Sequence, residues 1–248
     1  MLFSTALRIP PGSVVAFVGG GGKTTAMFCL ADELVRAGGK VITTTTTRIF
    51  AAQSRLAPVH VQSLAALQIA LQTSPHVLIT GEVKWQEGKA HGLAPEEVDN
   101  LRSLPGVQAV LVEADGSRTR PFKAPADHEP VIPALTTLVV IVVGIDALGQ
   151  PLTAEHVHRP ELVARLFPGE AVSPEMITAV LAHPAGGRKN VPPGARCVAL
   201  INKVETESQR RAADHLSTLL LSRPGIDGVA IGAVARRHNP ILDYTERR

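Results

Sequence analysis

Seven consecutive residues, Gly19-Gly20-Gly21-Gly22-Lys23-Thr24-Thr25, carry the most specific chemistry in the chain. Glycines let successive backbone N–H groups curl around phosphate oxygens, and a helix that follows adds the positive end of its dipole. The Lys-Thr pair then supplies an ammonium for the β/γ-phosphates and a hydroxyl for Mg²⁺. The spacing is a shortened one, G-x-x-G-K-T-T, because the first glycine of G-x-x-x-x-G-K-[ST] would fall on Phe17. A dinucleotide fingerprint, G-x-G-x-x-G, would put its third glycine on Thr24 and does not fit.

Phosphoryl transfer also calls for a carboxylate near the metal, at the end of a neighbouring apolar strand. Glu113 and Asp115 follow the apolar run at 107–112. If extended geometry continues through Ala114, both carboxylates share one face and can hold Mg²⁺ together with Thr24. The threonines at 44–47, with Arg48, close another β-branched run at the same expected edge, so some of their hydroxyls are expected to face the γ-phosphate. Asn202-Lys203-Val204-Glu205 follows a late apolar run and is close to N-K-x-D, whose carboxylate accepts from guanine N1 and N2 while the Asn and Lys shape and cover the base. Glu205 is one methylene longer than Asp, so the pattern points to a purine and leaves ATP and GTP both open.

Beyond the carboxylates, Arg118, Arg120, Lys123, Asp127, His128 and Glu129 are interleaved with prolines. Prolines hold such a segment open and present its charges with little entropy left to lose. Arg118 and Lys123 are expected to bind an anionic substrate or the triphosphate, and His128 to move a proton or hydrogen-bond the ligand. With Lys23, Glu113 and Asp115 they complete the candidate catalytic set. Cys29 and Cys197 lie in apolar segments with no C-x-x-C pair and are expected to be buried hydrophobes.

These groups need a scaffold to bring them together. An apolar run at 13–18 precedes the glycines, and Met27, Leu30 and Leu34 recur at helical spacing after them, which predicts strand, loop and helix. Further strands are expected at 40–47, 77–80, 107–112, 138–143, 198–201 and 229–234, with helical patterning at 64–71 and a hairpin or flap at 82–92. The run at 138–143 is apolar on both faces and should be central to a parallel sheet. The fold expected is α/β and P-loop NTPase-like, a mostly parallel sheet with helices on both faces. Residues 1–248 read as a single P-loop domain with long Pro-rich loops at 116–133 and 184–194.

Composition agrees. The chain has 248 residues, 45% apolar, with 25 Lys+Arg against 22 Asp+Glu, enough to bury a core and too apolar for wholesale disorder. Six Phe, one Trp and one Tyr, with no long basic block, do not make a single-strand nucleic-acid binder. No apolar run approaches the length of a membrane span, and no signal sequence opens the chain, so a cytoplasmic location is expected.

Several segments together resemble the YqeC family, described as accessory proteins of selenium-dependent molybdenum hydroxylases: V-G-G-G-G-K-T-T at 18–25, the Thr-rich run at 43–50, V-E-A-D-G-S-R at 112–118, P-F-K-A-P-A-D-H-E-P-V-I-P at 121–133, G-I-D-A-L-G at 144–149, H-R-P-E at 158–161 and I-N-K at 201–203. The resemblance implies a P-loop nucleotide-binding protein tied to maturation of a molybdenum hydroxylase. The short loop and the Glu after the fourth strand also resemble ATP-dependent Mur ligases, at the level of motif alone. An NTPase is the activity such a site would support. Two other classes stay open: an ATP-dependent ligase or small-molecule kinase with an anionic acceptor, and a GTP-gated metallocentre chaperone.

Overall fold

The computed structural model describes residues 1–236 and 238–247. In chain order its strands are β1 (Ser13–Gly19), β2 (Lys40–Thr45), β3 (Ile49–Phe50), β4 (Val59–Val61), β5 (His76–Ile79), β6 (Val83–Lys84), β7 (Lys89–Ala90), β8 (Val107–Glu113), β9 (Phe122–Lys123), β10 (Leu138–Gly144), β11 (Val157–His158), β12 (Arg196–Asn202), β13 (Gly228–Gly232) and β14 (Ile241–Glu246). The helices are α1 (Phe3–Leu7), α2 (Lys23–Arg36), α3 (Leu64–Thr73), α4 (Pro95–Leu101), α5 (Pro160–Leu166), α6 (Pro174–Ala182) and α7 (Glu207–Leu221). One nine-stranded sheet runs β14-β13-β12-β10-β1-β8-β2-β5-β4, parallel throughout except for the β13–β14 pair.

Alternation along the central strands builds two apolar layers. Val139, Ile141 and Val143 of β10 pack with α6 and α7, whereas Leu138, Val140 and Val142 pack with α1 and α2. The other half of the first face is filled by α3 and α4 against Ile42, Val77, Val110 and Val112. Helix α2 presents Ala26, Met27, Leu30, Ala31 and Leu34 to the sheet, one amphipathic stripe. Side-chain oxygens of Ser63, Ser173 and Thr206 cap α3, α6 and α7 and satisfy N–H groups that those helices leave free.

The expected α/β class, parallel sheet and central β10 are what the chain forms. Where seven strands were expected in the sheet, nine are present. The two additions are its edges: β4 has only three half-buried residues, and β14, I-L-D-Y-T-E, is a partly exposed polar edge strand. The threonine-rich strand stops at Thr45 and not Thr47. The expected flap at 82–92 is the β6–β7 hairpin, joined by β3 into a small three-stranded sheet. Within the loop at 116–133, β9 pairs in parallel with β11, setting Lys123 opposite His158.

Candidate functional site

Parallel strands deliver their carboxyl ends to one edge of the sheet, where ligands of α/β proteins bind. Here Phe17 lies opposite Glu113, Gly19 opposite Val142, and Gly144 opposite Asn202, so the ends of β1, β8, β10 and β12 converge. The glycine loop turns from β1 into α2 with φ of 93° at Gly19, 80° at Gly21 and 116° at Gly22, conformations that cost a side chain dearly. A Cβ on Gly20 would press on the Arg120 carbonyl, and one on Gly21 would overlap the Gly144 backbone.

Hydrogen bonds divide the loop in two. The N–H groups of Gly19, Gly20 and Gly21 donate to Asp115 Oδ2 at 3.0 Å, Val142 O at 2.9 Å and Arg120 O at 2.9 Å. These glycines shape the loop instead of offering donors. The N–H groups of Gly22, Lys23, Thr24 and Thr25, at the start of α2, have no acceptor among the described residues, and they are the donors left for an anion.

The Lys23 ammonium is buried: it donates to Gly19 O at 2.7 Å and faces Asp115 Oδ1 at 3.2 Å and Glu113 Oε1 at 3.9 Å. Thr24 Oγ1 donates to Glu113 Oε2 at 2.7 Å and accepts from Gln53 Nε2 at 3.1 Å. Burial pushes the Glu113 carboxyl up, opposed by the Lys23 charge and the Thr24 hydrogen bond. Asp115 Oδ1 makes no hydrogen bond although it is buried, while Oδ2 lies 3.0 Å from Lys123 Nζ.

From Asp115 the charges alternate outward. Lys123 Nζ is buried and also donates to Gly116 O at 2.6 Å and Glu129 Oε2 at 2.7 Å, and the Arg159 guanidinium closes on both oxygens of Glu129. Burial alone would raise the Glu129 carboxyl, but Arg159 and Lys123 hold it down at about 2. For His158, burial comes first, and Arg159 and Lys123 add to it, lowering the imidazole to about 4.

The other sequence candidates are placed as follows. Thr44, Thr45 and Thr46 donate to the carbonyls of Ile79, Glu113 and Val131, so those hydroxyls tie the end of β2 to its surroundings and do not face a γ-phosphate. Asn202 is buried and bridges two loops, donating to Gly21 O at 2.8 Å and accepting from Val234 N at 3.0 Å. Lys203 pairs with Asp146 at 2.7 Å, and Glu205 is exposed. Arg118 lines the cleft and is exposed, whereas His128 projects into solvent and does not line it.

That cleft has a volume of about 460 Å³ and brings Lys23, Thr24, Thr25 and Glu113 together with Arg48 and Lys89 on the flap side and Arg118, His158 and Arg159 on the other. Gln53, Glu129 and Arg159 were not singled out as site residues from sequence. Arg159 sits in H-R-P-E and Glu129 in the charged proline loop, which were visible signals; nothing local marks Gln53.

The family profile described as YqeC protein matches residues 15–161, a range holding the glycine loop, both carboxylates and the charged proline loop. A protein of Escherichia coli (strain K12) described as uncharacterized protein YqeC is 37% identical over 236 residues, covering 91% of each chain. The chain belongs to the YqeC family. Among solved structures, this YqeC-family chain is similar to the signal recognition particle receptor FtsY from Elizabethkingia anophelis, at 13% identity and a TM-score of 0.47 over 96% of the chain. It is similar also to chloroplast FtsY from Physcomitrella patens, at 16% identity and a TM-score of 0.43 over 89%. It spans 66% and 59% of those two chains. Among the described residues no helix of this YqeC-family chain is long and apolar enough to cross a membrane.

Proposed function

We propose that the chain, acting as one P-loop domain in the cytoplasm, binds a purine nucleoside triphosphate with Mg²⁺, hydrolyses it, and serves in the maturation of a molybdenum hydroxylase. The observation that carries the nucleotide reading is the unpartnered N–H set at Gly22, Lys23, Thr24 and Thr25 beside the Lys23 ammonium. Four donors at a helix start and the positive charge of Lys23 suit the oxygens of a polyphosphate. Lys23 moves from Asp115 and Gly19 onto phosphate when the anion arrives.

The donor set fits Mg²⁺: the Thr24 hydroxyl, the Glu113 carboxylate beside it, and Asp115 Oδ1, which makes no hydrogen bond and faces the Lys23 charge alone, are hard oxygens. Mg²⁺ would supply charge neutralisation on the β/γ-oxygens. The protein's own share is orientation: Asp115 fixes the loop through Gly19 N–H, and Asn202 fixes it through Gly21 O. Lys203, which lines the cleft, is assigned to the purine end, and the exposed Glu205 stands beside it without a base contact on which binding depends. Membership of the YqeC family supports the maturation role.

Calorimetric titration of ATP and GTP, with and without Mg²⁺, tests the first part. Saturable, Mg²⁺-dependent binding is expected, and no binding of either nucleotide at millimolar concentration would overturn the assignment. For the second part, deletion of the gene should leave hydroxylase protein present but inactive. Unchanged specific activity would remove the accessory role.

A further inference from the structure

Four residues that line the cleft keep a left-handed backbone although none is glycine: Arg118 (φ 47°), Thr119 (63°), Arg159 (61°) and Lys203 (65°). Long side chains avoid this region, and strained residues of this kind gather where a fold over-determines a ligand site. Three of the four are cationic. Arg118, His158 and Arg159 line both the main cleft and an adjoining recess of about 300 Å³ and so form the wall that the two share. Arg118 forms no ion pair among the described residues. Two carboxylates stand at this wall among the described residues: Glu129, already shared between Lys123 and Arg159, and the exposed Glu161, which lines the recess.

Arg118, Arg120 and Arg159 outnumber these two acids, and the wall lies on chain segments other than the glycine loop, which it meets at the Arg120 carbonyl that accepts from Gly21 N–H. We infer that Arg118, His158 and Arg159 form a second anion subsite in the same cleft, for the phosphate group of a phosphorylated small molecule that binds together with the nucleotide. The inference deepens the nucleotide reading, on which it rests for the role of the glycine loop. Phosphate is the class that fits, because nitrogen donors come from three side chains on two segments, whereas a carboxylate is commonly met by one guanidinium fork.

Inorganic phosphate is the probe, titrated into the whole protein both alone and saturated with the β,γ-imido analogue of ATP or GTP plus Mg²⁺, with acetate as the carboxylate control. Arg118→Gly is the variant of choice. Glycine adopts a φ near 47° without strain, so the backbone keeps its course and only the guanidinium is lost. The proposal expects phosphate to bind with the nucleotide site filled, acetate not to compete, and Arg118→Gly to weaken phosphate about tenfold, the loss of one charge-assisted contact, with unchanged thermal stability. It is overturned if the analogue displaces all phosphate, if acetate binds as well, or if Arg118→Gly leaves phosphate binding unaltered. Failure of the analogue to bind, with phosphate binding still sensitive to Arg118→Gly, would remove the nucleotide reading and leave the subsite standing. Should Arg118→Gly fold poorly, Arg118→Lys, which keeps the charge but not the fork, must weaken phosphate less than Arg118→Gln does, or the proposal falls.

Discussion

Lys23 Nζ and Asp115 Oδ1 face each other at 3.2 Å, and both side chains are buried. A buried ion pair is costly to form and costlier to break from one side, because the remaining charge keeps its desolvation penalty without its partner. The lysine that would serve phosphate is thus also part of the buried core.

Lys23→Ala should consequently abolish nucleotide binding and also destabilise the fold, by about 3–5 kcal/mol if no water relieves the carboxylates. Urea denaturation beside calorimetry separates the two effects. Wild-type nucleotide affinity in a folded variant would refute the phosphate role.

The two carboxylates should not behave alike. Glu113→Gln keeps a Thr24 contact and replaces a carboxyl that burial already pushes towards its neutral form, so stability should change little while Mg²⁺-dependent nucleotide affinity falls. Asp115→Asn loses charge opposite both Lys23 and Lys123 and should lower stability as well. Equal melting temperatures for the two variants would contradict this.

Asn202→Ala leaves Gly21 O and Val234 N–H without their buried partner. A stability loss of about 1–3 kcal/mol is expected, with weaker binding of ATP and GTP to the same degree, since the loop and not the base is affected. A selective loss of GTP alone would assign Asn202 to the base.

Glu205 is exposed, and its backbone N–H donates to Gln209 Oε1 at 2.9 Å in the cap of α7. A planar contact to guanine from a lengthened, solvated side chain tolerates displacement poorly. Competition of ATP and GTP against one fluorescent nucleotide should show little preference, and Glu205→Ala should change neither. A clear wild-type GTP preference lost in that variant would reverse the conclusion.

Acid should weaken the fold through His158. Its imidazole takes up a proton near pH 6.5 when unfolded but resists until about 4 when folded, so the unfolded chain binds more protons between those values. Stability should fall as pH drops from 6.5 towards 4, and His158→Gln should flatten part of that slope in urea midpoints. Burial lowers His60 and His76 in the same direction, so some slope remains. An unchanged profile in the variant would show that His158 titrates normally.

Local patterns made the core of this architecture readable. The β1–loop–α2 unit announces itself through glycines followed by helical spacing, and β10 through six consecutive apolar residues. What escaped is non-local. Whether a glycine N–H is free depends on Val142 and Arg120, more than a hundred and about a hundred residues away in the chain, roughly the reach that defeats pattern reading. The threonine run looked like a set of ligands because hydroxyl chemistry is written in the sequence, whereas the carbonyls of Ile79, Glu113 and Val131 that take those hydrogens are not. Edge strands β4 and β14 carry too little apolar alternation to be seen beforehand.

The clamp of Asn202 on Gly21 joins residues 181 positions apart, and Gly20 is tied to Val142 on a strand that also enters from far along the chain. Contacts of such separation close late, because the intervening chain must first be ordered. During synthesis from the N-terminus, β1 and α2 emerge long before β10 and β12 exist to grip their loop. The full set of ties on the glycine loop thus closes near the end of folding, and a nascent chain stopped before Arg196 would carry the glycine motif without the Asn202 clamp on Gly21.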